Sequence, residues 1–323
     1  MVSPASIGTI PIAWILTGLT LSAFVVGLAM VSTGLTLAVP LDLKLLLSFY
    51  TLVAATTFYH CQAPRAEWQR VAHDAVQSFS LIAIVCLLGT MATYPAAAAS
   101  AGFADADLAR ADRLLGLNWL DWYRAVAEHP MLQRFERAAY ECIYVSPLVL
   151  LGYFAATGRK AEARLFIASF WLAAVATVLL FMLVPAVGPL AYLTHGPIAY
   201  LPESAIDQAQ LIPLLRESHL HFIDIGMLRG LVSAPSFHAA SAVLYIAAAW
   251  RVKPLRWPLL AMNVAMLLAT PVEGTHYFID LIAGAIVAAA ALTVMRSVAR
   301  RCPVEMDLSL SDRSPTSQLG ATR

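Results

Sequence analysis

Two short stretches of this chain carry side chains able to do chemistry, APSFHAA (234–240) and PVEGTHYFIDLIAG (271–284). In the first, Pro235 suits a helix start, Ser236 is placed to cap it, and His238 falls in the opening turn. A helix start presents unpaired N–H groups and the positive end of the helix dipole, so it can hold a phosphate. In the second, Gly274 breaks one helix and Thr275 is placed to cap the next. His276 and Asp280 are four apart, a spacing that predicts one helix face with the two side chains a turn apart. A carboxylate beside an imidazole accepts one ring N–H, fixes the tautomer and leaves the other nitrogen free as base or nucleophile. Either histidine alone reads as an ordinary interfacial residue, and Ser236 alone as a plain structural cap. Two marked helix starts separated by one hairpin point instead to a shared site for acid–base or nucleophilic work. The rival arrangement is zinc held by His238, His276 and Asp280 plus a water. The chain has no H-E-x-x-H stretch to support it.

The elements that must position these groups are membrane helices. Of the 323 residues, 60% are hydrophobic and only 13% charged, against about 25% charged in a soluble domain. Apolar segments run at 10–38, 43–60, 74–96, 138–157, 164–186, 236–250, 256–272 and 276–296, which predicts an all-α, polytopic membrane helical bundle of about eight spans. Those beginning at 43, 236 and 256 are short for the bilayer and imply tilt or local thinning. A net charge of +1 without a basic patch argues against a nucleic-acid partner. Cys61, Cys86, Cys142 and Cys302 have no paired spacing, so they read as small buried residues rather than as a zinc site or disulfide framework. No Lys or Arg precedes Lys44, so Met1 to about Ala38 reads as a retained first helix and not as a cleaved signal peptide.

Charge sorts the connections. Arg65 and Arg70, then Arg159, Lys160 and Arg164, then Arg251, Lys253 and Arg256, then Arg296, Arg300 and Arg301 all fall on one side of an eight-span chain, whereas the short first link on the other side carries Lys44 beside Asp42. The positive-inside rule makes that side cytoplasmic, with both termini. The long connections at 97–137 and 187–235 then face outward. The first mixes both charge signs with leucines and with Trp119, Trp122 and Tyr123, and reads as amphipathic helices in the interface anchored at headgroup depth. Small residues at Gly284 and Ala288, and at Ala239, Ala240 and Ala242, would let two helices approach closely and bring the histidines together. The chain divides into two N-terminal helices (1–73), a membrane core (74–300) containing the interfacial segment 97–137, and a polar, Ser-rich tail (301–323).

PSFH followed by THYFID resembles the second and third motifs of the type-2 phosphatidic acid phosphatase superfamily, P-S-G-H and S-R-x5-H-x3-D. The runs ADRLLGLNWLDW and PAVGP resemble a branch that includes inositol phosphorylceramide synthases. The resemblance spans 138–296 and implies a six-helix core of that type. It implies His276 as the nucleophile that carries the phosphoryl group, His238 as the acid for the leaving oxygen, and Asp280 as the group orienting His276, without a metal or other cofactor. The implied substrate is a phospholipid or isoprenoid phosphate, at the periplasmic face of a bacterial inner membrane. Inositol phosphorylceramide synthase-like transfer of a phospho-head group to a lipid acceptor is the alternative outcome, and a non-catalytic scaffold the alternative class. Three positions depart from the pattern: Phe237 replaces the motif glycine, Thr270 replaces its arginine, and the K-x6-R-P motif is missing. A phosphate still needs cations, so Arg216 and Arg229 are the candidate phosphate-binding residues together with Ser236, followed by Arg134 and Arg137. Glu273 is placed either to bind substrate hydroxyls or to pair with an arginine.

Overall fold

The computed structural model describes residues 8–60, 66–202, 204 and 207–303. Cys61, Arg65, the tail beyond Pro303 and the start of the retained-helix segment lie outside the described residues. In chain order the elements are α1 (Ile12–Ser32), β1 (Thr36–Ala38), α2 (Leu41–His60), α3 (Glu67–Ala99), α4 (Asp105–Leu114), α5 (Trp119–Ala127), α6 (Pro130–Tyr140), α7 (Cys142–Ala156), α8 (Lys160–Leu183), α9 (Pro189–Leu193), α10 (Asp207–Arg216), β2 (Phe222–Asp224), α11 (Phe237–Ala249), α12 (Lys253–Glu273) and α13 (Phe278–Arg301).

The chain is an all-α membrane bundle. Five helices, α1, α3, α8, α12 and α13, are long and apolar enough to cross a bilayer, and α6 with α7 makes a sixth candidate bent by 40°. The apolar part of α2, Leu43–Thr56, and α11 are shorter. At 1.5 Å per residue α11 spans about 20 Å, well under the ~30 Å hydrocarbon core. It is tolerated because α8, α12 and α13 enclose it, so its polar ends meet protein instead of lipid. The expectation of a first helix reaching Ala38 is corrected: α1 stops at Ser32, Gly34 turns the chain with φ +70°, and residues 36–38 pair as a parallel strand with 222–224.

The core runs through the middle of the bundle. Leu150, Leu151 and Phe154 of α7 meet Phe166, Ile167 and Phe170 of α8, and these meet Leu244 and Tyr245 of α11. Ile15 and Leu19 of α1 join the same core, while Trp14, Leu21, Phe24 and Val31 of α1 face outward, as lipid-facing side chains do. Small residues bring α11 and α13 together: a methyl group at Gly284 would collide with the Ser236 carbonyl oxygen, and Ala239, Ala240, Ala242 and Ala288 are fully buried.

The basic links gather at one end of the bundle. Arg70 donates to the Ala155 carbonyl at 3.2 Å and pairs with Asp74, which Lys160 also approaches at 3.5 Å. Arg164 reaches the Ile10 carbonyl, and the Thr9 N–H bonds the Pro303 carbonyl, so both described ends of the chain arrive there. Arg251 and Arg296 share a small cleft with Glu162 at the same end. The starts of α11 and α13 lie at the other end.

Candidate active site

The start of α11 is organised by its neighbours in sequence. Ser236 is fully buried; its Oγ accepts from the Ala239 N–H at 3.4 Å and its carbonyl from the Ala240 N–H at 3.1 Å. It therefore acts as the expected cap, and it does not line the cavity described below. The Ser236 N–H in turn donates to the Asp280 carbonyl at 3.0 Å, which ties this start to that of α13.

The start of α13 is built differently from the sequence reading, although His276 and Asp280 do meet. Gly274 ends α12 as expected, but His276 precedes α13, whose N-cap is Tyr277. Thr275 does not cap: it holds a left-handed φ of +49°, and its buried Oγ1 has no partner among the described residues. The chain bends sharply here because Gly188 packs against it. Gly188 has φ +93°, and a side chain there would come within 2.9 Å of the Thr275 carbonyl oxygen. The bend brings the His276 Nδ1 to 2.6 Å from the Ser233 carbonyl oxygen and 3.6 Å from Asp280 Oδ2. Asp280 Oδ2 also accepts from the Tyr277 N–H at 2.9 Å. A carbonyl can only accept, so His276 carries a ring hydrogen on Nδ1, and in the neutral imidazole the lone pair is on Nε2.

Two carboxylates from the connection 97–137 hold this bend. Asp112 accepts from the N–H groups of Phe278 and Ile279 at 2.9 and 2.8 Å, satisfying two of the donors that a helix start leaves unpaired. Asp105 accepts from the N–H groups of Val187 and Gly188, both at 3.0 Å, and from the Tyr277 hydroxyl at 3.0 Å. They are 1% and 3% exposed for Asp105 and Asp112 respectively. Burial pushes both carboxyls above the ordinary range, while the N–H donors pull them back. One signal was available: Asp105, Ala109 and Asp112 follow the i, i+4, i+7 spacing of a single buried helix stripe. Nearby, Trp119 and Tyr123 turn inward. The Trp119 indole donates to the Pro271 carbonyl at 2.7 Å and its ring stacks on Tyr123, so both are packed in protein where headgroup anchoring was expected. Trp122 remains more exposed, edge-on to Phe278.

His238 and His276 line one cavity of about 260 Å³, together with Tyr140, Ser204, Gln208 and Gly274. Away from the histidines its walls are largely apolar: Ile82, Val85 and Gly89 of α3, Ile143 and Pro147 of α7, Phe170, Ala174 and Val178 of α8. No Lys or Arg is among its lining residues. Arg216 lies with its guanidinium 4.3 Å over the Phe103 ring and donates to Ser100 Oγ and the Gly102 carbonyl. Arg229 is half-exposed, 4.0 Å from Asp207. Both arginines are at the site end of the bundle but outside the cavity. Glu273 is fully buried and accepts from the Tyr200 hydroxyl at 2.5 Å, and Arg137 also approaches that hydroxyl. For the zinc arrangement, no group of three His, Cys, Asp or Glu side chains among the described residues is disposed to hold a metal ion.

A family model described as the PAP2 superfamily matches residues 106–294, more than half of the chain, from within α4 to within α13. No curated protein and no solved structure matches the chain.

Proposed function

This chain belongs to the PAP2 superfamily, and from that premise we propose that it transfers a phosphoryl group from a lipid phosphate through a covalent phosphohistidine on His276. Phosphatase- or phosphotransferase-type chemistry in a membrane bundle comes with the family membership. The observation that carries the finer reading is the clasp on His276 Nδ1 by the Ser233 carbonyl and Asp280. It leaves Nε2 as the only ring nitrogen with a lone pair to offer, on a residue that lines the same cavity as His238.

In this scheme Nε2 attacks phosphorus, the N–P bond forms and the ester P–O bond breaks. His238 gives its proton to the departing alkoxide oxygen. Positive charge developing on the His276 ring is offset by Asp280. In the second step an incoming O–H attacks phosphorus, its proton goes to His238, the N–P bond breaks and both histidines are restored. Negative charge on the phosphoryl group is met by the first-turn N–H groups and dipole of α11, organised by the Ser236 cap. Arg216 and Arg229 serve the headgroup side of the substrate, since neither lines the cavity. The apolar walls suit the chain of a phospholipid or isoprenoid phosphate. The basic end faces the cytoplasm and the site the periplasm, across the inner membrane of a bacterium. Water as the attacking group makes the protein a phosphatase; a lipid or polyol hydroxyl makes it a phosphotransferase like the inositol phosphorylceramide synthases, with the same residues.

The test uses purified protein with a panel of lipid phosphates, rapid quenching and assay for an acid-labile, base-stable phosphoryl adduct. The expected result is an adduct that His276→Ala abolishes together with turnover, with thermal unfolding unchanged. An adduct of normal yield in that variant removes His276 from the role. Release of inorganic phosphate reports hydrolysis, and product that appears only with an added hydroxyl acceptor reports transfer.

A further inference from the structure

The two histidines are held in opposite ways. His276 is fixed through Nδ1, which donates to the Ser233 carbonyl at 2.6 Å and lies 3.6 Å from Asp280 Oδ2. The His238 ring makes no hydrogen bond or ion pair among the described residues; its neighbour is the Tyr140 ring, stacked on it with centroids 4.0 Å apart and planes inclined by 15°. Tyr140 is the last residue of α6, buried at the bend into α7. Its hydroxyl joins a chain of hydrogen bonds. The Tyr140 hydroxyl and Ser204 Oγ are 3.2 Å apart, and the Ser204 N–H donates to the Glu273 carbonyl. The Glu273 side chain accepts from Tyr200, whose backbone N–H and carbonyl both bond the Tyr123 hydroxyl. A flat ring at stacking distance restricts imidazole rotation while leaving both ring nitrogens free for proton exchange, which a hydrogen-bonding partner would not do.

We infer that Tyr140 is a positioning residue for His238, its stacked ring aiming the imidazole at the leaving oxygen during P–O cleavage. This rests on His238 as the proton donor of the proposed reaction, so the test separates the two statements. It measures phosphoryl-enzyme formation in a single turnover with two phosphate monoesters, one of a long-chain alcohol and one of 4-nitrophenol. The alkoxide must be protonated as it leaves, whereas nitrophenolate leaves without help, so only the first reports the acid.

For Tyr140→Leu and Tyr140→Met the expected result is a loss of about 100-fold on the alkyl ester, at the low end of what a positioned acid supplies, with the aryl rate within about threefold. Tyr140→Phe keeps the ring and is expected to recover the alkyl rate to within about fivefold. His238→Gln must show the same selectivity for the alkyl ester. If His238→Gln slows both esters alike, the proton-donor reading fails and the inference with it. If His238→Gln discriminates but the Leu and Met variants do not, the inference alone fails. A purely structural role for Tyr140 would depress both esters equally, and the Met variant, a flexible filler of similar bulk, covers the case in which Leu does not fold.

Discussion

The two helix starts that meet at the site differ in what holds them. That of α11 is made by Pro235 and Ser236 and the N–H groups three and four residues on. That of α13 depends on residues far away in the chain. Asp112 supplies the acceptors for Phe278 and Ile279, Asp105 takes the Tyr277 hydroxyl, and the Ser233 carbonyl takes the His276 ring. A helix capped locally can form its first turn as soon as it forms at all. A bend held from α4 and from the loop before α9 exists only once the outer segments have packed onto α12 and α13. The residue proposed as nucleophile thus sits on the part of the site with the least local support, and the proposed acid on the part with the most.

Three substitutions break or sharpen that contrast, in falling order of effect. Asp112→Ala strips the acceptor from two buried N–H groups. With about 1.5–3 kcal/mol for each bond to a charged group, it is expected to lower thermal stability by roughly 3 kcal/mol or more. It should also slow adduct formation by about 100-fold, the scale of an ångström's displacement of a reacting group. Normal adduct kinetics in that variant would show that α13 needs no distant cap. Gly284→Ala tests the contact between the two starts, because its methyl group must push against the Ser236 carbonyl. Overpacking of this kind costs about 1–3 kcal/mol, and the expected sign is a lower unfolding temperature in detergent with slower turnover. A stability gain would mean that α11 and α13 are free to separate. Ser236→Ala removes only the local cap, at about 1 kcal/mol, and is expected to change turnover several-fold at most. An effect larger than that of Asp112→Ala would reverse the contrast.

The opposite end of the bundle shows what the buried acids at the site are for. There Asp74 sits among Arg70 and Lys160, and Arg159 pairs with Glu162, so charge meets charge. At the site end Asp105 and Asp112 spend their oxygens on backbone N–H groups and a tyrosine hydroxyl, and Asp280 approaches the imidazole. Asp105 and Asp112 used in this way orient the backbone around His276. The gathering of the short basic links at the opposite end was legible in the sequence because it follows from connection order.

What the sequence determined by itself was carried by short-range pattern, which nonetheless misplaced a cap at Thr275 and the end of α1. Long apolar runs imply helices, Ser236 implies a cap, Gly274 implies a break, and the small residues around Gly284 and Ala239 imply a close approach. Only the tertiary structure decided that His276 precedes its helix, that Thr275 turns left-handed beneath Gly188, and that Asp105, Asp112, Trp119 and Tyr123 face inward. It also decided that Arg216 and Arg229 stand outside the cavity and that Tyr140 lies flat on His238. These depend on contacts between residues far apart in the chain, such as the 166 positions between Asp112 and Phe278. Periodicity and capping preferences act over one or two turns, whereas a hydrogen bond of that span is selected only when the packed bundle brings its partners together.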